Sequence, residues 1–431
     1  MKNSFSRTVL IGFVFALLLC GTMAPAQVQK ASYYREDMKI ILNNVSDDIQ
    51  KHFYDPELHG LNWKQLTADA RAKIEQANSA SEMVTAIFIL VNKLGDSHTK
   101  FLPPGRLNRL QFGFEARAVG EDIFIHKVKP DSAAQKAGLL PGDRIIAING
   151  FNAQRATFDL MMLDFRALRP QPAWRIAYQR GDGPEQMVDV IAVVKEGHTV
   201  IKDFDIWDLI REIEADGKEN RYLYGVNNEG IGYLKLPTFS YDPEDIDTAA
   251  RKLDKAAATI IDLRGNGGGR LDSLVDFAGH FESSPAVMAN IVRRNKSEPV
   301  KVRPLNPRIE GPMVILVDSH TASASEMFAR HFQLTGRAVV VGDTSSGRVT
   351  ASLFYDHLVG MGRSMLYGVQ IGVGRVVFPE GEELEKRGVK PDRMCLPTGN
   401  DLREKRDPCL GLAYDIAKKG LLSKSAAAGG K

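Results

Sequence analysis

The sequence predicts a multidomain α/β protein, and three observations carry that reading. Apolar residues recur at helical spacing between Tyr33 and Leu94, and short β-rich runs separated by glycine turns occupy roughly residues 110 to 195. From about Asn220 to residue 400, short apolar strands alternate with amphipathic helices, the pattern of a largely parallel sheet covered by helices. With 431 residues, 44% of them hydrophobic and 25% charged, the chain is long enough for two or three cores.

The N-terminus reads as a targeting segment. Lys2 and Arg7 precede an apolar run from Val9 to Cys20, and Ala24-Pro25-Ala26 supplies a small-x-small cleavage pattern. Residues 1–26 therefore predict a signal peptide, and with it an exported protein, periplasmic or secreted. An anchoring helix is the rival reading, but roughly a dozen apolar residues fall short of the ~30 Å hydrocarbon layer. Cys20 raises a lipoprotein as a further alternative, against which Leu19 stands where a small residue is expected. The formal charge of +3 falls to +1 without this segment, which points neither to nucleic acid nor to an anionic surface. Export leaves Cys395 and Cys409 in an oxidising compartment, where a disulfide pinning the C-terminal tail and two unpaired buried thiols are both open readings.

Residues 27–105 predict a helical unit, with Met38-Ile41-Leu42-Val45 and Met83-Ile87-Leu90-Val91-Leu94 as its apolar faces. It ends in the loop GDSHTKFLPPG, residues 95–105, where glycine and paired prolines break the helix. Residues 106–196 form a β-rich unit, with strands at Ile123–Ile125 and Arg144–Ile148. Its stretch PDSAAQKAGLLPGDRIIAINGFN, residues 130–152, resembles a PDZ domain in its helix, its GLLPGD turn and its following strand. The resemblance implies that a peptide pairs with an exposed strand edge while the backbone N–H groups of Phe112-Gly113-Phe114 receive its terminal carboxylate. The alternative is that Phe112 and Phe114 fill the core.

Residues 197–400 predict an α/β core, with strands at Ile231–Leu236, Thr259–Leu263, Met313–Val317 and Ala338–Val341 and a helix at Ser325–Leu334. Residues 401–431 read as a C-terminal helix with a frayed tail. In MVILVDSHTASASEMFARHF, residues 313–332, a serine-rich turn joins a buried strand to a helix. A side chain there is presented outward beside free first-turn N–H groups, which suits a nucleophile. The same residues fit a capping box, with Ser323 as N-cap and Glu326 returning to its N–H.

The string TASASE, followed by TGRAVVVGDTSSG and preceded by IIDLRGNGGG at 260–269, resembles the carboxyl-terminal processing, or tail-specific, protease family, whose core fold is ClpP/crotonase-like. The resemblance implies Ser323 as nucleophile. It places the oxyanion N–H groups on Gly269, with Gly268 as the near alternative, and on Ala324. A phosphate loop at GNGGG is disfavoured because no Lys-Ser/Thr follows.

The base departs from the commoner family pattern. Where many members carry a lysine in a GKG turn, this chain has Ser346-Gly347-Arg348-Val349, and a guanidinium does not give up its proton. The Ser97-His98 pair in GDSHTKF and the run GEELEKRGVKPD at 381–392 instead resemble the tricorn core protease. That likeness implies His98 as base, Glu385 as its supporting carboxylate and Ser97 as a helper, with Arg348 a structural or substrate-binding cation. Local alternatives are that His98 bonds only within its turn, and that Glu385 belongs to a solvated cluster with Glu380, Glu382 and Glu383. Asp96 could replace Glu385 as the carboxylate. His320 and His331 are weaker bases, His331 lying on the order of 12 Å from Ser323 by helical rise.

The expected function is that of an exported serine endopeptidase that uses its PDZ domain to cleave proteins or peptides near their C-termini through an acyl-enzyme. An inactive PDZ-containing peptide-binding scaffold on the same fold is the alternative. An α/β esterase is disfavoured because Gly-x-Ser-x-Gly is missing. No metal and no cofactor are expected, nor a nucleic-acid partner or a transmembrane segment in the mature chain. The expected partner is a substrate with a free C-terminus, and homo-oligomerisation is left open.

Overall fold

The structure, a computed structural model, describes residues 25–104, 109–168, 171–195, 222–360 and 365–429. The predicted signal sequence up to Ala24, Cys20 included, lies outside the described residues, as does the expected boundary near residue 196.

The chain opens with helices α1 (Pro25–His52), α2 (Trp63–Gln76) and α3 (Ala80–Asn92). The side chains of Asn62 and Ser79 cap α2 and α3, each accepting a first-turn N–H at 3.2 Å. Their apolar faces, with Ile41, Leu42, Ile74 and Ile87 fully buried, close on Val369 and Ile371 from far along the chain. The helical unit therefore shares its core with a distant strand.

After β1 (Lys100–Leu102) and β2 (Arg109–Gln111) comes an antiparallel sheet with interspersed helices: β3 (Phe114–Val119), β4 (Asp122–Val128), α4 (Ala133–Lys136), β5 (Asp143–Ile148), β6 (Phe151–Asn152), α5 (Arg155–Leu163), β7 (Ala173–Arg180) and β8 (Glu185–Ile191). Strand order is β3-β4-β5-β7-β8, with β6 against β5, and β2 pairs with β9 (Val193–Lys195). Trp174 is fully buried at its centre and stacks on Phe112 with ring centroids 3.6 Å apart.

The remaining chain runs β10 (Leu223–Val226), β11 (Ile231–Lys235), α6 (Pro243–Arg251), β12 (Ala258–Asp262), α7 (Leu271–Gly279), β13 (Ala286–Val292), β14 (Ser297–Val302), β15 (Met313–Val317), α8 (Ala324–Leu334) and β16 (Ala338–Gly342). It finishes with β17 (Thr350–Val359), β18 (Met365–Val377), β19 (Arg393–Met394), α9 (Gly399–Glu404) and α10 (Pro408–Gly429). Strands β10-β11-β12-β15-β16-β19 form one sheet, parallel from β11 onward. Alternate side chains of its buried strands go to opposite faces. Ile261, Ile315 and Val317 meet α6, α7 and α8, while Ile260, Val314 and Leu316 meet Ala413 and Ala417 of α10. A disulfide joins Cys395 to Cys409 at the foot of α10, which decides between the two cysteine readings.

A second sheet, β1-β18-β13-β14 with β17 also on β18, is antiparallel and was not legible in the sequence. Glycines at 368, 372 and 374 interrupt β18, and β17 is only partly buried along most of its length, so neither shows a clean period of two. No helix among the described residues is long and apolar enough to cross a membrane.

The middle sheet docks on the core through polar contacts. Arg155 donates to Asp343 Oδ2 at 2.8 Å and to the Gly120 carbonyl at 3.1 Å, and also reaches the Thr344 carbonyl. Gly120 N–H bonds the same carboxylate at 2.9 Å, and Ser319 Oγ donates to Ala118 O at 2.6 Å. Removing the guanidinium strips several partly buried acceptors at once, so Arg155→Ala is expected to cost about 1–3 kcal/mol. The loss should appear in denaturant unfolding, with hydrogen exchange accelerated at residues 117–120; unchanged exchange there would refute the docking role of this contact.

Candidate active site

Strand β15 ends at Val317, and the chain turns through Asp318–Ser323 into α8. From Thr321 to Ala329 every residue except Ser323 is buried, so Ser323 carries the one part-exposed hydroxyl of that stretch. Ser323 sits at φ 56°, ψ −121°, a region a non-glycine residue enters only when its surroundings force it. Here they do. Its N–H is shared between the Arg348 carbonyl at 2.8 Å and Glu326 Oε2 at 3.0 Å, and the Ala322 N–H before it goes to Asn266 O at 2.9 Å.

The glycine turn after β12 packs directly on this residue. Gly268 has φ +102°, and a Cβ there would lie 2.7 Å from Ser323 Cβ. Gly269, at φ +146°, is pressed so closely on Phe239 that a Cβ would lie 2.2 Å from its carbonyl carbon. Only glycine fits either place. The N–H of Gly268 is taken by Asn266 Oδ1 at 2.9 Å. Those of Gly269 and Ala324 donate no hydrogen bond among the described residues. Of the two predicted glycines, Gly269 is therefore the one with an amide to offer. Gly269, Ser323 and Ala324 all face one cavity of about 720 Å³, with Ile291, Met327, Val349, Leu353 and Val376 on its apolar wall.

Behind the serine lies Glu326, fully buried. Its carboxylate accepts from Ser323 N–H at 3.0 Å, Ser345 Oγ at 2.5 Å, Gly347 N–H at 2.7 Å and Arg348 N–H at 3.0 Å. Burial pushes its carboxyl up to about 7, while the four donors pull the other way by favouring the charged form. Sequence reading recognised Glu326 only as a helix cap and assigned no part to Ser345 or Asn266.

The predicted base and its carboxylate are not among the residues that line the cavity. His98 is partly buried; its Nδ1 is 2.9 Å from Ser97 Oγ and its N–H donates to Asp96 Oδ1 at 3.1 Å. Burial, with help from Lys100 and Arg348, lowers its imidazole to about 3, so the ring is neutral at physiological pH. Glu385 Oε2 accepts the Val349 N–H at 2.7 Å, and its buried Oε1 has no partner among the described residues. Among the described hydrogen bonds, none joins His98 to Ser323 or to Glu385. The Arg348-Val349 segment links two of them, its carbonyl at 348 holding Ser323 and its amide at 349 holding Glu385. Asp96 is bound to Thr99 Oγ1 at 2.7 Å within its own turn.

Arg348 itself, in the place where the resemblance puts a lysine, pairs with Asp159 on α5 of the middle sheet in a partly exposed ion pair. His331 pairs with Glu282 at 2.5 Å away from the cavity, and His320 Nδ1 is 3.3 Å from Ser319 Oγ. Phe112 and Phe114 are buried, and Ser132 closes on Gly113, donating to its carbonyl at 3.2 Å. Their side chains fill the core, as the alternative held, so any peptide role belongs to the loop's backbone.

Residues 230–394 match the model of peptidase family S41, and residues 124–159 match that of a PDZ domain. The chain carries a serine-type S41 peptidase domain joined to a PDZ domain. The S41 resemblance extends well beyond those limits. Carboxyl-terminal-processing peptidase 1, chloroplastic, of Arabidopsis thaliana is 26% identical over 86% of this chain and 73% of its own length. The carboxyl-terminal-processing protease of Synechocystis sp. is 23% identical over 88% of this chain and 86% of its own. Among solved structures, mature CPAF complexed with lactacystin has a similar fold, with a TM-score of 0.64 at 14% identity over 91% of this chain and 99% of that one.

In the S41 domain, Glu326 gives a direct test of how the serine turn is held. Glu326→Gln presents an amide to donors that need an acceptor, and is expected to cost about 2–3 kcal/mol. Urea unfolding would measure it, and a loss below about 0.5 kcal/mol would show that the four bonds are not structural.

Proposed function

We propose that the chain is an exported serine endopeptidase that cleaves proteins or peptides near their C-termini, recruiting them through its PDZ domain. The observation that carries this reading is Ser323, held in a strained strand-to-helix turn and facing a cavity also lined by Gly269 and Ala324, whose amides are unpaired among the described residues. The names of the curated relatives support the C-terminal preference.

In the proposed reaction Ser323 Oγ attacks the scissile carbonyl carbon and its proton passes to His98. The carbonyl oxygen, now an oxyanion, accepts from the N–H groups of Gly269 and Ala324. Collapse expels the amine, which takes the proton from His98, and leaves an acyl group on Ser323. Water, deprotonated by the same imidazole, hydrolyses the ester and restores the serine. Because His98 is held by Ser97 in the resting arrangement, substrate must draw its ring toward Ser323, with Ser97 and Glu385 supporting the imidazolium. Unliganded catalytic contacts are often this loose. The open contact also favours a second reading, a peptide-binding scaffold that has lost hydrolysis.

A serine-reactive phosphonate separates the two. The enzyme reading expects labelling of Ser323, abolished by Ser323→Ala, with His98→Ala lowering kcat about 10²–10⁴-fold. Full turnover in His98→Ala ends the base assignment, and absence of labelling with intact peptide binding favours the scaffold.

The depressed imidazole adds a pH prediction. A base works in its neutral form, so activity present at neutral pH should persist through 6.5 and fall only as pH drops toward the lowered value. A limb in kcat/KM centred near 6.5 would show that His98 is not the group titrating.

For recruitment, β3 is an edge strand of its sheet among the described residues, an edge to which a peptide can add short of Ala118, whose carbonyl Ser319 Oγ already occupies. Amidating a substrate's C-terminus should raise KM with little change in kcat; equal KM values would remove the terminal carboxylate from recognition.

A further inference from the structure

The turn that carries Gly269 is also gripped from outside the site. Arg264 folds back on Asp262, donating from Nε to Oδ1 at 2.9 Å and from Nη2 to Oδ2 at 2.7 Å. Asp262 is fully buried and takes the Tyr233 hydroxyl at 2.9 Å as well. The other side of the same guanidinium meets Asp407 in a bidentate pair, Nη1 to Oδ1 at 2.8 Å and Nη2 to Oδ2 at 2.7 Å. Asp407 belongs to no sheet. It lies on the loop ahead of α10, where it also accepts the Leu410 N–H at 2.9 Å, two residues before Cys409 and its bond to Cys395 at the end of β19.

Resting on the proteolytic reading above, we propose that Asp407 is a positioning residue for the oxyanion turn, held in place by the Cys395–Cys409 disulfide, so that reducing the disulfide slows the chemical step. A bidentate arginine–carboxylate pair fixes direction as well as distance, and Arg264 is part of the turn it restrains. The next residue, Gly265, donates to Asp318 Oδ1 at 2.9 Å on the loop leading to Ser323. Movement of Arg264 therefore shifts the Gly269 amide relative to the nucleophile, and oxyanion stabilisation depends on that placement to within a fraction of an ångström. A cavity of about 330 Å³ between the PDZ domain, the core and the C-terminal segment has Arg264, Asp407, Cys395 and Cys409 on its wall, which gives a small dithiol access to the bond. In the exchange the dithiol supplies two electrons and two protons, Cys395 and Cys409 become thiols, and the dithiol is oxidised to its own disulfide.

The test uses the full chain and hydrolysis of a chromogenic peptide. Asp407→Asn is expected to lower kcat about three- to tenfold with KM within about twofold, and Asp407→Glu to recover most of the loss. Dithiothreitol should lower kcat of the wild type to the same degree, reversibly on reoxidation. The Cys395→Ser/Cys409→Ser chain should keep the low kcat and ignore dithiothreitol. If Asp407→Asn does not fold, reduction of the folded wild type reads the same quantity. An unchanged kcat in the reduced wild type or in Asp407→Asn, even with a lower melting temperature, overturns the proposal and leaves a purely structural link. A folded wild type with no hydrolysis removes the protease reading and this one with it, whereas wild-type turnover with insensitive variants removes this one alone.

Discussion

The buried carboxylate of Glu326 is the constraint on which the site depends. A carboxylate buried away from solvent must be satisfied by fixed donors, and here the four come from the Ser323 turn and the 345–348 turn. Satisfying one group therefore locks two loops together. Ser323 is left in a backbone conformation it would not otherwise adopt, and Arg348 has its carbonyl directed at the serine's amide. The same residue that reads as a helix cap in the sequence is, in the fold, the anchor behind the hydroxyl.

Around that anchor the site is an assembly of loop ends rather than one element. The parallel sheet brings the turns after β12 and β15 side by side, because neighbouring parallel strands end on the same edge. Asn266 fastens them to each other: its side-chain amide reaches Leu236 O at 2.9 Å and the Gly268 N–H, and its carbonyl takes Ala322 N–H. The effect is selective. Gly268 is occupied and Gly269 is left with a donor to spare, a distinction that composition alone could not draw between adjacent glycines.

Much of this was legible in advance, and the exceptions have physical causes. The strands of the parallel sheet are buried on both faces and show as uninterrupted apolar runs, so Ile231–Leu236 and Met313–Val317 were readable. The hairpin of β17 and β18 was not, because its glycines and half-exposed faces blur the alternation. Ser323, Gly269 and Ala324, which line one cavity, were singled out through motif resemblance. The partnership of His98 and Glu385 was inferred the same way, but whether two loops some 290 residues apart touch depends on packing that no local pattern encodes. Glu326 was missed as an anchor since its partners at 345, 347 and 348 are backbone amides and one hydroxyl, groups that carry no distinctive sequence signal.

The union of α1, α2 and α3 with β18 bears on how the chain acquires its shape. Ile41, Leu42 and Ile87 share their core with Val369 and Ile371, which are separated from them by the PDZ domain and most of the peptidase core. During synthesis the amino-terminal helices must therefore wait, with an oily face uncovered, until more than three-quarters of the polypeptide has emerged. A protein truncated before β18 keeps helices that pack on one another but lack the strand that completes their core.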